Sequence, residues 1–317
     1  LERNYGFETT DDAVIDRDAD DHIMMSTLGS EAVSVFSHPK ITMFAANDEY
    51  LTVAVSEDDT DRLFTVNLTS YEMREERLEF SGQVDNVVVG PRSKVAMYTL
   101  SPDFNEVPVA LYEELAQSVH TLNLQTGSSQ ALYDSDSERL RAVSLHIDTN
   151  GQAALLQDFN ETYYVVSPFG DFQPIIVGSY SGSFGFNYLG SEILFRDRNT
   201  IALYDVASSE VTRLEPQTIN YIQDVSNETT KIVATNSFSL GKANSEVVAF
   251  RDWDDEAEIV WDSTAYPNTT IRDIAVSYDE HYVAMQQNPF NCTFDGLTPQ
   301  SQCEFAETLL LDTDSGE

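Results

Sequence analysis

Lysine is nearly missing from this chain. It occurs four times, at Lys40, Lys94, Lys231 and Lys242, and Lys and Arg together number 17 against 54 Asp and Glu. The formal charge of −37 repels polyphosphates and anionic bilayers, which argues against nucleic acid and anionic membrane surfaces as partners. Long apolar runs are missing too; none approaches the ~20 residues a helix needs to cross a bilayer. Cysteine is down to two residues, Cys292 and Cys303. Their spacing is not that of a C-x2-C zinc framework, and no His lies nearby.

Catalytic signatures are also missing. The histidines His22, His38, His120, His146 and His281 form no His-Glu-x-x-His pattern and no close pair, so each reads as a structural His. A nucleophile elbow needs Gly-x-Ser-x-Gly. Gly178-Ser-Tyr-Ser-Gly182 has the wrong spacing and reads as a turn or linker.

What is present is acid, aromatic side chains and repetition. The acids run the whole length of the chain, which suits either plain solubility or a halophilic setting where salt screens self-repulsion. Hydrophobic residues make up 41% and aromatics 11%, ordinary for a globular protein and well suited to sheets. Cys292 and Cys303 sit in one long turn, and two cysteines in one loop are expected to form a disulfide in an oxidising compartment. Closing so short a loop contributes about 3 kcal/mol. Sequons at Asn67, Asn160, Asn227, Asn268 and Asn291 allow N-glycosylation in a secreted chain. Together these features point to an extracellular or cell-surface location.

The chain is organised by one phrase, clearest in Ile201-Ala-Leu-Tyr-Asp-Val-Ala-Ser-Ser-Glu210: a strand, a polar residue, a tight turn and another strand. Anchored on the polar residue, copies fall at 67, 123, 167, 205, 251 and 312, with a degenerate copy at His22-Ile-Met-Met-Ser26. A period near 48 residues marks repeat architecture, and four-stranded propeller blades run about 40–50 residues. A second phrase precedes the full copies, as in Ile274-Ala-Val-Ser-Tyr-Asp-Glu-His-Tyr-Val-Ala-Met285. Each module therefore reads as four short strands joined by hairpin turns.

The pair "apolar-Ser-x-Asp-x-x-Tyr-Val-Ala" and Leu309-Leu-Leu-Asp-Thr-Asp-Ser-Gly-Glu317 resembles the TolB-like (PD40, WD40-like) β-propeller repeat, over roughly residues 40–317. The first-turn Asp-Gly of that repeat survives only as Asn150-Gly151 and Leu189-Gly190. The resemblance implies an all-β propeller and leaves function open.

These observations predict an acidic, irregular leader over 1–21 and a single propeller domain over 22–317. Full blades are expected at about 40–81, 84–134, 141–178, 182–215 and 218–263. A sixth begins near 270 and is completed by an N-terminal strand, which closes the ring and removes exposed edges. Seven blades are the alternative. Residues 101–117, with a short helix expected at Leu111–Gln117, and residues 287–306 are insertions between second and third strands. They should emerge on one face, and such a face is a candidate binding surface.

The acidic turns offer weak metal candidates. Asp16, Asp18 and Asp20 have the spacing that opens a calcium loop, but positions 6 and 12 of an EF-hand would fall on Asp21 and Thr27, and the motif fails. Asp312 and Asp314 form a second candidate pair for calcium. No cofactor is otherwise implied. The expected function is a non-catalytic propeller that binds a protein partner or assembles with its own copies. The alternatives are a hydrolase or lyase acting on glycans at the ring axis, and the accessory propeller of a prolyl-oligopeptidase-like peptidase.

Overall fold

The structure is a computed structural model. It describes residues 7–9, 13–18, 20–27, 30–57, 60–134, 136–159 and 162–166 continuously enough to follow turns. Beyond these it describes 172–175, 182–186, 192–197, 200–214, 222–225, 231–239, 242–250, 258–262, 269–276, 282–289 and 308–312. The chain divides into two compact units, residues 1–178 with 188–191, and residues 179–187 with 192–317.

The first unit holds four antiparallel four-stranded sheets, each made of consecutive strands. The first comprises β1 (Phe7–Thr9), β2 (Ala13–Arg17), β3 (His22–Thr27) and β4 (Val33–Ser37). The second comprises β5 (Ile41–Ala46), β6 (Tyr50–Glu57), β7 (Thr60–Asn67) and β8 (Met73–Glu76). The third comprises β9 (Gly82–Val89), β10 (Val95–Pro102), β11 (Ser118–Asn123) and β12 (Ser129–Ala131). The fourth comprises β13 (Ser144–Ile147), β14 (Ala154–Gln157), β15 (Tyr163–Val166) and β16 (Phe172–Ile175). One helix, α1 (Val109–Leu115), interrupts the third sheet between β10 and β11, where the insertion at 101–117 predicts it.

The second unit repeats the pattern. One sheet comprises β17 (Gly182–Phe186), β18 (Glu192–Asp197), β19 (Thr200–Asp205) and β20 (Val211–Leu214). The next comprises β21 (Ile222–Val225), β22 (Lys231–Ser239), β23 (Lys242–Phe250) and β24 (Glu258–Asp262). A three-stranded sheet of β25 (Thr269–Val276), β26 (Tyr282–Pro289) and β27 (Thr308–Asp312) completes the described residues.

Two expectations change. Within the leader expected to be irregular over 1–21, Phe7–Thr9 and Ala13–Arg17 form strands β1 and β2. The N-terminal strands, expected to complete the last blade, pair with one another instead: Phe7 opposite Asp16, Ile15 opposite Met25, and Ile23 opposite Phe36. The cause is hydrophobic. Ile15 and Ile23 are fully buried and pack with Phe36 against Ile41, Leu51, Val53 and Val55 of the second sheet. That core gives β1–β4 a face of their own to bury.

Burial explains the strand composition. The second sheet lies between two neighbours, so β6 is buried at every position from Tyr50 to Val55. Leu51, Val53 and Val55 face the first sheet. Tyr50 and Ala54 join Val84, Val87, Tyr98, Leu100 and Leu122 toward the third. A strand covered on both faces loses the apolar–polar alternation of a half-exposed one. A third core, including Met97, Val119, Leu145 and Leu156, joins the third and fourth sheets.

The polar anchor has a mechanical role. Asn67 Oδ1 accepts the N–H groups of Thr69 (3.0 Å) and Ser70 (2.8 Å). Asn123 Oδ1 accepts those of Gln125 (3.0 Å) and Thr126 (2.9 Å), and Asp205 Oδ1 accepts that of Ser208 (2.6 Å). In each case the residue four further on donates its N–H to the anchor carbonyl and takes a positive φ: Tyr71 (58°), Gly127 (75°) and Ser209 (60°). The side chain thus replaces strand pairing with a local hydrogen-bonded turn.

Neighbouring sheets also interlock through their first turns. Buried Asn47 donates through Nδ2 to the carbonyls of Gly90 (2.8 Å) and Ser93 (2.9 Å), and Thr149 O accepts the Arg92 N–H (2.8 Å). Gly90 passes so close to the fourth sheet that a Cβ there would lie 2.1 Å from Asp148 O.

Candidate functional site

Among the described residues, a concave site with titratable side chains lies inside the first unit. There the β8–β9 connection (77–81) faces β11 and β12. The cavity holds about 750 Å³ and is lined by Arg77, Glu79, His120, Gln130 and Tyr133 among others.

The β11 register places His120 opposite Tyr98 of β10. The imidazole is fully buried, stacked on the Tyr98 ring at 5.0 Å and meeting the Phe80 ring edge-on at 6.1 Å. Ser118 Oγ donates to Leu100 O (3.2 Å) and lies 2.8 Å from His120 Nε2. The serine has one proton for two neighbours, and the nearer is Nε2. Nδ1 faces Glu79 Oε2 at 3.6 Å, too far for a hydrogen bond, and no other described group satisfies it.

Glu79 is held by Arg139, whose Nη1 donates to Oε2 at 3.0 Å and whose Nη2 reaches Oε1 at 2.5 Å. This fork keeps the Glu79 carboxyl below its ordinary pKa, more than offsetting its partial burial. Burial drives the His120 pKa down to about 4; the Glu79 charge opposes the shift and Arg139 adds to it. Burial also pushes the Tyr98 phenol up to about 12, although its hydroxyl bonds Ser129 Oγ at 2.6 Å.

Ser118, His120 and Glu79 stand in the order of a Ser–His–carboxylate triad, but the geometry does not support acyl transfer. Ser118 is 0% exposed, so no substrate carbon can reach its Oγ. The open side of the arrangement is the Glu79 side, and what it offers is one carboxylate beside Arg77 and Arg139.

The sequence candidates disperse. Asp18 spends its carboxylate on its own turn: Oδ1 accepts the N–H groups of Asp20 (2.9 Å) and His22 (2.8 Å), and Oδ2 meets His22 Nδ1 at 3.0 Å. Burial works against its ionised form, yet these bonds outweigh it and lower its pKa. Burial raises that of Asp16, and Asp18 adds to the effect. Asp20 is exposed on the same turn. Among the described residues no three His, Cys, Asp or Glu side chains converge as metal ligands. The Asp312 side chain, Asp314, Cys292, Cys303, Asn160, Asn227, Asn268 and Asn291 lie outside the described residues. Asn67 is described, and its Oδ1 is bound in the turn after β7.

Sequence reading treats His120 as structural and does not single out Glu79, Arg77 or Arg139. Glu79 and Arg139 are 60 residues apart, and only the stacking of the second and third sheets brings them together.

No protein-family model matches the chain, and no curated protein matches it by sequence. Solved structures do. A chain from a structural report on two prolyl endopeptidases aligns at TM-score 0.70 with 11% identity, over 98% of this chain and 47% of that one. The tricorn protease aligns at 0.59 with 11% identity, over 97% of this chain and 35% of its own. An oligogalacturonate lyase in complex with manganese aligns at 0.57 with 10% identity, over 86% and 81%. The chain thus spans about half or less of the two peptidases. Repeated four-stranded sheets and these alignments together define a propeller-type β fold.

Proposed function

We propose that the chain is a seven-bladed propeller that works as a non-catalytic protein-recognition module outside the cell. Seven meander sheets support the blade number, and the sequons and the cysteine pair support the location. The observation that carries the function is the projection at 103–117. Helix α1 buries none of its residues. Phe104 stacks on Tyr112 at 3.7 Å, and Phe104, Val109 and Leu111 are exposed by 57%, 71% and 43%.

A helix of two turns is unstable alone. This one is tied down by Arg141, which donates to Glu113 O (2.9 Å) and lies over the Phe159 ring at 5.8 Å. Phe159 is itself 55% exposed and sits between β14 and β15. This is the turn of the fourth sheet that corresponds to the α1 insertion. Contiguous apolar side chains fixed on a surface mark an interaction site. Asp103, Glu106, Glu113 and Glu114 flank them, so the fitting occupant is an apolar protein segment bordered by Lys and Arg. A second copy of a −37 chain is the poorer fit at ordinary ionic strength.

Peptides displayed on phage, selected on the intact chain, test this. Enriched sequences should pair apolar and basic residues. They should bind a Phe104→Ser/Leu111→Ser variant at least about tenfold more weakly. Equal binding to the variant, or sedimentation showing a dimer that the same substitutions dissolve, rejects the reading.

A second reading, the accessory propeller of a larger peptidase, is favoured by the coverage of the prolyl endopeptidase alignment, 98% of this chain against 47% of that one. A natural polypeptide carrying a hydrolase domain alongside these residues would support it.

A further inference from the structure

The turn after β7 departs from the turns after β11 and β19 at two positions. The first is Tyr71. All three turns place a left-handed residue four positions after the anchor. In the third sheet it is Gly127, where a Cβ would lie 2.6 Å from Glu76 Oε2. In the second it is Tyr71, whose φ of 58° strains a residue that has a Cβ. Its ring is 52% exposed and, among the described residues, meets no other ring and no hydrogen-bond partner. Strain kept where the polypeptide gains little packing points to something outside the polypeptide.

The second departure is Thr69. Asn67-Leu68-Thr69 is a glycosylation sequon, whereas Asn123 is followed by Leu124-Gln125 and Asp205 by Val206-Ala207. The turn also presents the sequon openly. Asn67 Oδ1 is taken by the N–H groups of Thr69 and Ser70 at 3.0 and 2.8 Å, which fixes the amide plane. Nδ2 makes no hydrogen bond among the described residues and is not buried. Thr69 and Ser70 are exposed. The Tyr71 N–H donates to Asn67 O at 2.8 Å, so the tyrosine side chain starts beside the anchor.

We propose that Asn67 carries an N-linked glycan and that Tyr71 is the platform for its first sugar. The donor is a saccharide joined through its anomeric carbon to a lipid diphosphate. Nδ2 forms the bond to that carbon, and the carbon–oxygen bond to the diphosphate breaks. The lipid diphosphate leaves with the electron pair, and one amide proton is released. The product is still an amide whose Oδ1 accepts the Thr69 and Ser70 N–H groups, so modification and turn do not compete. The apolar face of the sugar lies on the Tyr71 ring and its hydroxyls stay in water, a division that suits a half-exposed aromatic side chain. A protein partner on Tyr71 would need neither Thr69 nor an open Nδ2; a glycan needs both. The proposal rests on the extracellular location in the function reading, and not on the α1 projection.

Trypsin cuts after Arg62 and Arg74 and releases residues 63–74, which hold Asn67 and no other sequon. In the natural protein, recovered from its own source, mass spectrometry should find saccharide mass on that peptide, with fragment ions placing it on Asn67. The platform is tested with Thr69→Ala, which removes the sequon and keeps Asn67 as the anchor. In a host that glycosylates the chain, Thr69→Ala should lower Tm by about 1–3 °C. In a Tyr71→Gly background, or in chain made without the modification, it should leave Tm in place. An unmodified 63–74 peptide overturns the glycan. A loss that persists in Tyr71→Gly, or that appears equally without the modification, overturns the platform. An unmodified peptide in a chain that still binds its selected phage peptides at α1 rejects this proposal alone, and a modified peptide without α1 binding rejects the recognition reading alone.

Discussion

His120 shows at the residue scale what burying a titratable side chain entails. Tyr98, Phe80 and Ser118 close around it, and Glu79 and Arg139 are the charges that face it. In the folded chain its pKa is about 4, against about 6.5 when unfolded. Below pH 6.5 the unfolded state therefore takes up a proton that the native state refuses, and stability falls as pH drops toward 4. Above pH 6.5 neither state binds it and the contribution is complete. The effect is on the order of 3 kcal/mol. Urea unfolding at pH 7.5 and pH 4.5 should show the parent losing more stability between those points than His120→Gln, by about 2–3 kcal/mol. Parallel losses would mean that the imidazole is not kept neutral by its surroundings.

At the scale of the element, the anchored turn is the unit that repeats. Its geometry requires a left-handed residue four positions after the anchor, and only Gly127 supplies it without strain. Tyr71 takes φ 58° while leaving 52% of itself exposed, so its side chain returns little in packing. Tyr71→Gly should stabilise the chain by roughly 0.5–1 kcal/mol and raise Tm by about 1–3 °C in a thermal scan. A lower Tm would mean that Tyr71 makes contacts which outweigh its strain.

The same turn explains what could be read from sequence. The anchors at 26, 67, 123, 205 and 312 all end or nearly end a third strand, in β3, β7, β11, β19 and β27. Strand, side-chain acceptor and turn are local, so they leave a local trace. The degenerate copy at His22–Ser26 also carried the signal for the first sheet: a third strand implies two before it. Residues 7–17 hid them because β1 spans three residues, and the burial of Ile15 depends on Ile41 and Val53 in another sheet. The cavity was less legible still. Nothing near Glu79 in the chain announces Arg139 or His120, which meet it only after the sheets stack.

At the scale of the whole chain, folding brings 54 acids into a smaller volume. Expanding the chain separates like charges, so a formal charge of −37 favours the unfolded state whenever the charges sense one another. That distance is set by salt, with a Debye length near 10 Å at 0.1 M and about 3 Å at 1 M. Few local ion pairs offset the repulsion, because 17 cations cannot partner 54 acids. Exposed pairs such as Arg62 with Glu57 at 2.9 Å contribute ~1 kcal/mol or less and weaken in salt themselves. Between the two effects, repulsion among many unpaired acids is the larger. Stability should therefore rise with NaCl from 0.05 to 1 M, seen as a higher urea midpoint, and sucrose at equal osmolarity should reproduce only part of the gain. Most of the rise should come at the low end, where the screening length shrinks through the spacing of neighbouring carboxylates. A midpoint that is flat in NaCl, or matched in full by sucrose, would show that the acids are already neutralised locally and that charge does not limit this fold.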